Sequence, residues 1–200
     1  MTDDDLLERQ AALQARADEV ARDLDVMALA GTVGTPTRTG SSALGLMVRR
    51  DIDITTVGDL DVERIFALGQ RLATHPRVWK ITFRNDTGHW NKEIERYPDG
   101  LYWLVEYVDE AGDPWTLDLW FLAEGTTQFD LEHMKTLPQR LTPDVRAAIL
   151  RIKEDRQAQA TPAPGPAMPS YEIYEAVLDH GVRTPAEFER YLAGRTPDRD

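Results

Sequence analysis

Apolar residues recur every seven positions at the start of the chain, at Leu6, Leu13, Val20 and Met27, with Ala17 and Leu24 between them. That spacing makes one stripe on a helix and predicts an amphipathic N-terminal helix from about residue 4 to residue 30. Gln10 interrupts the seam, so a helix docked on its own core is favoured over a coiled-coil dimer. Gly31, Gly34, Pro36 and Gly40 then punctuate a turn-rich stretch. A short strand is expected to reach Thr39 and a brief helix to open at Ser41. Residues 51–57 read as a strand, because Ile52, Ile54 and the β-branched Thr55, Thr56 and Val57 suit a pleated surface. Helical spacing returns over residues 61–73 through Val62, Ile65, Phe66, Leu68 and Leu72. Over residues 77–84, Trp79, Ile81 and Phe83 alternate with Lys80, Thr82 and Arg84, which predicts a half-buried strand.

Two further strands are expected over residues 101–108 and 115–122. The run Asp109-Glu110-Ala111-Gly112-Asp113-Pro114 between them is turn-like and predicts an antiparallel hairpin. Residues 130–156 read as helical, broken around Pro138 and Pro143, with Thr142 as a cap before proline at the first helical position. Pro162, Pro164, Pro166 and Pro169 mark residues 157–169 as an extended linker. Beyond it, Ile173, Tyr174, Val177 and Leu178 form an apolar stripe, and Gly181 is a helix stop. Thr184-Pro185-Ala186-Glu187 opens a second tail helix with a capping box. The pattern therefore predicts an α+β fold, a mixed or antiparallel sheet of about four or five strands flanked by helices. It divides the chain into a main domain (1–156, with the N-terminal helix over 1–30), the linker (157–169) and a two-helix tail (170–200).

Composition narrows the function. An apolar fraction of 42% in 200 residues argues for a packed globule. No apolar run has the roughly 18 residues that a membrane span needs, and the acidic N-terminus lacks the features of a secretory signal. The absence of cysteine removes disulfides, thiolate zinc sites and cysteine nucleophiles, and is compatible with a cytoplasmic protein. The formal charge of −12 disfavours nucleic acid as a partner, since such a chain repels a phosphate backbone unless a local basic surface intervenes. The tail's two helices suggest a helix-turn-helix reader, but acidic residues outnumber basic ones there, so docking on the main domain or on a protein partner is favoured. A small anionic ligand held through a divalent metal remains compatible with the charge.

The chemistry concentrates on three carboxylates. Asp51 and Asp53 are two apart on a predicted strand and so emerge on one face. Neighbouring carboxylates disfavour joint ionisation, and a bound cation relieves that repulsion; oxygen donors of this kind suit Mg²⁺ or Mn²⁺. Gly40-Ser41 precedes them. Glycine permits close backbone approach, and Ser41 and Ser42 offer hydroxyl and N–H groups to a phosphate. Asp118 lies mid-strand in Trp115-Thr116-Leu117-Asp118-Leu119-Trp120-Phe121, where an unpaired charge is costly, and Glu106 lies on the adjacent predicted strand within another apolar run.

Residues 39–54, Thr-Gly-Ser-Ser-Ala-Leu-Gly-Leu-Met-Val-Arg-Arg-Asp-Ile-Asp-Ile, resemble the motif of the nucleotidyltransferase superfamily typified by DNA polymerase beta. That motif is Gly-Ser or Gly-Gly, about ten residues, then Asp-hydrophobic-Asp/Glu-hydrophobic. The family needs a third carboxylate on a later strand, which Asp118 fits, with Glu106 a weaker third-ligand candidate and a candidate general base. The resemblance implies a metal-dependent enzyme in which Asp51, Asp53 and Asp118 ligate metals against the phosphates of an NTP, ATP among them. An acceptor hydroxyl on a small molecule or a protein would attack the α-phosphate, and Asp118 would help to activate it. The acidic balance suggests a cationic small molecule as acceptor. Thr39 stands where a bulkier apolar residue is usual, Arg49 and Arg50 replace a small polar residue, and Asp118 lies 65 positions beyond Asp53, a wide gap. Arg50, with Arg49, either neutralises phosphate or is surface charge. Lys80 and Arg84, which share strand parity, either bind triphosphate or line a solvated face. Trp90 is expected to pack against the sheet rather than to stack on a base. The four histidines lack metal-ligand spacing, Gly31-Thr32-Val33-Gly34 lacks a P-loop ending, and no Gly-x-Ser-x-Gly elbow occurs. The rival reading is a non-enzymatic protein of the same fold, such as a partner in a toxin–antitoxin pair; a homodimer also stays open.

Overall fold

A computed structural model describes residues 2–94, 97–126, 128–159 and 170–195. The chain divides into two compact units, Ala12–Thr136 on one hand and Met1–Ala11 with Leu137–Asp200 on the other.

The larger unit is built on a five-stranded mixed sheet. Its elements after the N-terminal helices are β1 (Thr35–Thr39), α3 (Gly40–Leu44), β2 (Asp51–Gly58), α4 (Val62–Ala73), β3 (Val78–Asp86), β4 (Gly100–Val108), β5 (Pro114–Ala123) and α5 (Phe129–Thr136). The strand order is β1-β2-β5-β4-β3, with β2 and β5 parallel and every other pair antiparallel. Asp61 caps α4 by accepting from the Arg64 N–H at 3.2 Å. The expected hairpin forms between β4 and β5. Its turn is held by the Asp109 carboxylate, which accepts from Ala111 N at 2.9 Å, Asp113 N at 3.0 Å and Trp115 Nε1 at 2.9 Å.

One face of the sheet is closed. Ile52 and Ile54 of β2, Val105 of β4 and Leu117 and Leu119 of β5 are buried in one cluster with Ile65, Leu68 and Leu72 of α4 and with Ala17 and Val20. Those last two belong to α1 (Asp3–Asp23), and α2 (Val26–Gly31) follows it. The single helix expected over 4–30 is thus two helices. The chain turns at Asp25, whose φ of 48° is a left-handed conformation that aspartate tolerates better than most residues. Leu24 and Val26 flank it and are both buried, which no single helical stripe allows for residues two apart.

The alternation expected in β3 also fails at one point. The register slips between Val78 and Lys80, and Trp79 is left 62% exposed while Ile81 and Phe83 keep their half-buried positions. A bulge at a sheet edge re-aims the side chain it carries.

In the smaller unit α7 (Ser170–Asp179) and α8 (Pro185–Gly194) both pack on α6 (Pro143–Gln159). Residues 157–159, expected to begin the linker, continue α6. The rest of that linker, residues 160–169 with its four prolines, lies outside the described residues. Thr142 Oγ1 accepts from Val145 N at 3.4 Å at the start of α6. Gly181, with φ 68°, follows α7, and the capping box of α8 is complete: Glu187 N donates to Thr184 Oγ1 at 3.3 Å and Thr184 N to Glu187 Oε2 at 3.1 Å. Arg156 pairs with Glu189 at 2.8 Å between α6 and α8. Among the described residues no helix is long and apolar enough to cross a membrane.

Candidate active site

The open face of the same strands carries the acids. Because β2 and β5 run parallel in register, Asp53 and Asp118 are direct partners, and Asp51, one same-face step away, stands opposite Thr116. The 64 residues between Asp53 and Asp118 include α4, β3 and β4, and the hairpin then returns β5 to the centre of the sheet beside β2. Each of the three offers a carboxylate oxygen lying within 4.8 Å of the others. No other group of three acidic, histidine or cysteine side chains meets in this way among the described residues.

Gly40 is required here twice over. Thr39 pairs with Asp53 across β1 and β2, and the chain then turns at Gly40 with φ 63° to enter α3. A Cβ added at Gly40 would lie 2.1 Å from Asp53 Oδ2 and 2.8 Å from its carboxyl carbon. Only glycine tolerates both the dihedral and the contact. Ser41 follows at the open end of the turn, and its carbonyl accepts from Leu46 N at 3.0 Å. Ser42 is instead buried within the turn, where it accepts from Arg38 Nε at 3.0 Å and donates to the Thr39 carbonyl at 3.4 Å. Arg38 is also paired with Asp18, so this guanidinium ties the turn to α1.

The electrostatics follow from crowding. Burial, and then the negative charge of Asp51, push the Asp118 carboxyl up to about 6. A hydrogen bond from Tyr102 and the guanidinium charges of Arg49 and Arg84 oppose that rise only in part. Asp51 accepts from Thr116 Oγ1 at 2.8 Å and has Arg49 at 3.8 Å. Three carboxylates held this closely resist joint ionisation in the absence of a cation.

The remaining candidates are not gathered around the acids in the same way. Arg50 pairs with Asp113 of the hairpin turn at 2.9 Å, so of the two arginines it is Arg49 that stands at the site. Lys80 pairs with Glu106 across β3 and β4, and Glu106 lies outside the three-carboxylate group. Arg84 pairs with Asp86 at 2.6 Å and lies over the rings of Tyr102 and Trp120, at 4.6 and 5.4 Å. Trp90, expected to pack on the sheet, is 60% exposed and sits against His89 instead.

Sequence reasoning passed over Tyr102, Thr116 and Arg38 as site residues. The first two were reachable from the hairpin: its register sets Leu104 opposite Asp118, which puts Tyr102 one diagonal step away on the acidic face. Arg38 left no such signal, since its partners come from α1 and α3 rather than from a neighbouring strand.

No family model matches the chain, and no curated protein matches it. Solved structures do. A mutant of the Cid1 poly(U) polymerase bound to MgATP aligns over 89% of this chain and 50% of its own, with 15% identity and a TM-score of 0.53. A second Cid1 structure, described for its RNA terminal uridylyl transferase activity, aligns over 86% and 47%, with 14% identity and a TM-score of 0.53. A cytoplasmic RNA terminal U-transferase aligns over 89% and 48%, with 15% identity and a TM-score of 0.50. At such identities the likeness is one of fold, and the chain spans about half the length of these proteins. The nucleotidyltransferase fold implied by residues 39–54 is the fold observed.

Proposed function

We propose that the chain is a metal-dependent nucleotidyltransferase that moves an NMP group from an NTP to an acceptor hydroxyl. One observation carries the reading: parallel register sets Asp118 beside Asp53, with Asp51 one step away and Gly40 closed against the Asp53 carboxylate. The donor set fits Mg²⁺ or Mn²⁺, because all three ligands are hard carboxylate oxygens, and burial and then the charge of Asp51 already raise the Asp118 carboxyl in the absence of a cation. Asp51, Asp53 and Asp118 would hold the metal, which when bound would supply positive charge to the phosphates and lower the barrier to attack at the α-phosphorus.

The chain's own groups have separable roles. Asp118 is the base best placed to take the acceptor's proton as the new O–P bond forms and the bond to pyrophosphate breaks. Gly40 and Ser41 offer the backbone approach for phosphate, while Ser42 braces the turn behind them. Arg49 supplies positive charge beside Asp51. Arg50, Lys80 and Arg84 already pair with carboxylates away from the acids, so a phosphate contact from any of them requires exchange of that partner. Glu106, held by Lys80 and outside the three-carboxylate group, is the weaker candidate for that base.

The presence of all three carboxylates supports an enzyme over a non-enzymatic toxin–antitoxin partner. The acceptor is a hydroxyl of a cationic small molecule, a protein or an RNA. Net charge argues for the first, but the similar solved proteins are described as acting on RNA, so charge alone no longer argues against a nucleic-acid acceptor.

Calorimetry with Mg²⁺ and each NTP is expected to give metal-dependent nucleotide binding in the wild type and none in Asp53→Ala. Absence of binding by the wild type would overturn the proposal. Label transfer from α-labelled NTPs to an aminoglycoside, to protein and to RNA 3′ ends then identifies the acceptor class.

A further inference from the structure

We propose that Tyr102 is the positioning residue of the third carboxylate, holding one Asp118 oxygen so that the other stays turned toward Asp51 and Asp53. The inference rests on the metal-site reading above and deepens it. Tyr102 sits on β4 opposite Trp120, one same-face step from the Leu104–Asp118 pair, so its phenol reaches diagonally across to β5. There its hydroxyl donates to Asp118 Oδ1. The ring is fixed on several sides. Trp120 lies 4.9 Å away, and the Arg84 guanidinium covers both rings while its own Nε is bound to Asp86 at 2.6 Å. Tyr97 stacks on Trp120 at 5.8 Å with an interplanar angle of 15°.

This packing matters because a carboxylate on a strand rotates about its terminal torsion at little cost. A hydroxyl held by a fixed ring removes that freedom, and by engaging Oδ1 it would leave Oδ2 to the metal. Asp51 has the matching arrangement, with Thr116 Oγ1 donating to Oδ1 at 2.8 Å. Asp53 is confined by the backbone at Gly40. Two of the three acids are therefore restrained by hydroxyl donors and the third by close backbone.

The test is Tyr102→Phe, which deletes the hydroxyl and keeps the ring, its stacking and its cover by Arg84. Mn²⁺ affinity is read by electron paramagnetic resonance on wild type and variant, with thermal melts in EDTA to confirm that both are folded. Loss of a hydrogen bond to a metal ligand weakens binding about 10–100-fold, and that drop is expected here. With an active acceptor, kcat should fall while KM for the NTP stays within about twofold, since the phenol touches the ligand and not the nucleotide. Thr116→Val, made in parallel, should weaken Mn²⁺ through Asp51 and confirm that the assay reports ligand restraint. Unchanged or tighter Mn²⁺ binding by a folded Tyr102→Phe, with a wild type that binds Mn²⁺, would overturn this inference alone. A wild type that binds no Mn²⁺ would overturn the parent reading, and this one with it.

Discussion

Along β2 and β5, Ile52, Ile54, Leu117 and Leu119 point to one face of the sheet, while Asp51, Asp53 and Asp118 point to the other. The apolar set is at most 1% exposed and packs with α1 and α4. Burial of each such side chain stabilises the fold by about 1.5–3 kcal/mol. The acidic set is only half-buried, and burial together with the charge of Asp51 raises the Asp118 carboxyl. The same two strands thus carry an apolar face that the protein closes and an acidic face on which it crowds three carboxylates together. The nearby basic groups do not offset the crowding at Asp118: Arg49 stands 3.8 Å from Asp51, and Asp118 keeps its raised carboxyl despite Arg49 and Arg84.

Neighbouring residues on β5 separate the two faces most sharply. Leu117→Ala on the closed face should cost about 2–5 kcal/mol, seen as a lower urea midpoint with an unchanged slope. Asp118→Asn, one position on, should leave the metal-free protein as stable or more stable at pH 7, because it deletes a charge that the fold does not satisfy. The same change should lower nucleotidyl transfer about 10³-fold, the scale of losing one preorganised charge-stabilising group. If Asp118→Asn destabilised the metal-free protein as Leu117→Ala does, the acid would belong to the scaffold. Melts in EDTA beside a label-transfer assay measure both quantities on one preparation.

Gly40→Ala probes the border between the faces. Alanine at φ 63° costs roughly 1–2 kcal/mol in backbone strain alone, and its methyl must displace the Asp53 carboxylate. Stability should fall by about that amount, and metal-dependent NTP binding should weaken at least about tenfold. Strain without any loss of NTP binding would mean that the close approach to Asp53 serves only the turn.

Much of this comparison was legible in the sequence, because period-two alternation assigns faces without knowledge of the partner strands. Ile52 and Ile54 against Asp51 and Asp53, and Leu117 and Leu119 against Asp118, fell on their observed sides from alternation alone. Alternation does not say which strands are neighbours. The parallel pairing of β2 with β5, which sets Asp53 directly beside Asp118, is not encoded in the pattern of either strand; only the family resemblance called for the third acid to lie near the first two. Local backbone irregularity was illegible as well. The left-handed Asp25 split one predicted helix, and the slip at Val78 and Lys80 turned Trp79 outward; both are single-residue events inside otherwise regular patterns. Lys80 and Arg84 had the right parity for the open face, but parity could not reveal that Glu106 and Asp86 already engage them.

The smallest expected effect is a pH dependence that isolates the open face. In the metal-free fold the Asp118 carboxyl is pushed up to about 6, against about 3.9 in an unfolded chain, so the folded state holds this proton more tightly. Its contribution to stability is fully present below about pH 4 and is lost as pH rises through about 6. Asp23, whose carboxylate is held below its usual range by the hydrogen bond from Tyr107, has the opposite dependence and loses its contribution as pH falls. The two cannot be separated in the wild-type curve, but the difference between wild type and Asp118→Asn removes Asp23 and other groups remote from the site, leaving Asp118 and the groups coupled to it. That difference, from melts in EDTA between pH 4 and 8, should shift against the wild type by on the order of 1–3 kcal/mol on the way to pH 7 and then level off. Saturating Mg²⁺ at pH 7 should reverse it in the wild type, because a bound cation satisfies the charge that the proton satisfied at pH 4, and should have little effect in Asp118→Asn. A flat difference curve would mean that Asp118 titrates as an ordinary surface acid, and the contrast between the two faces of β5 would then be one of polarity alone.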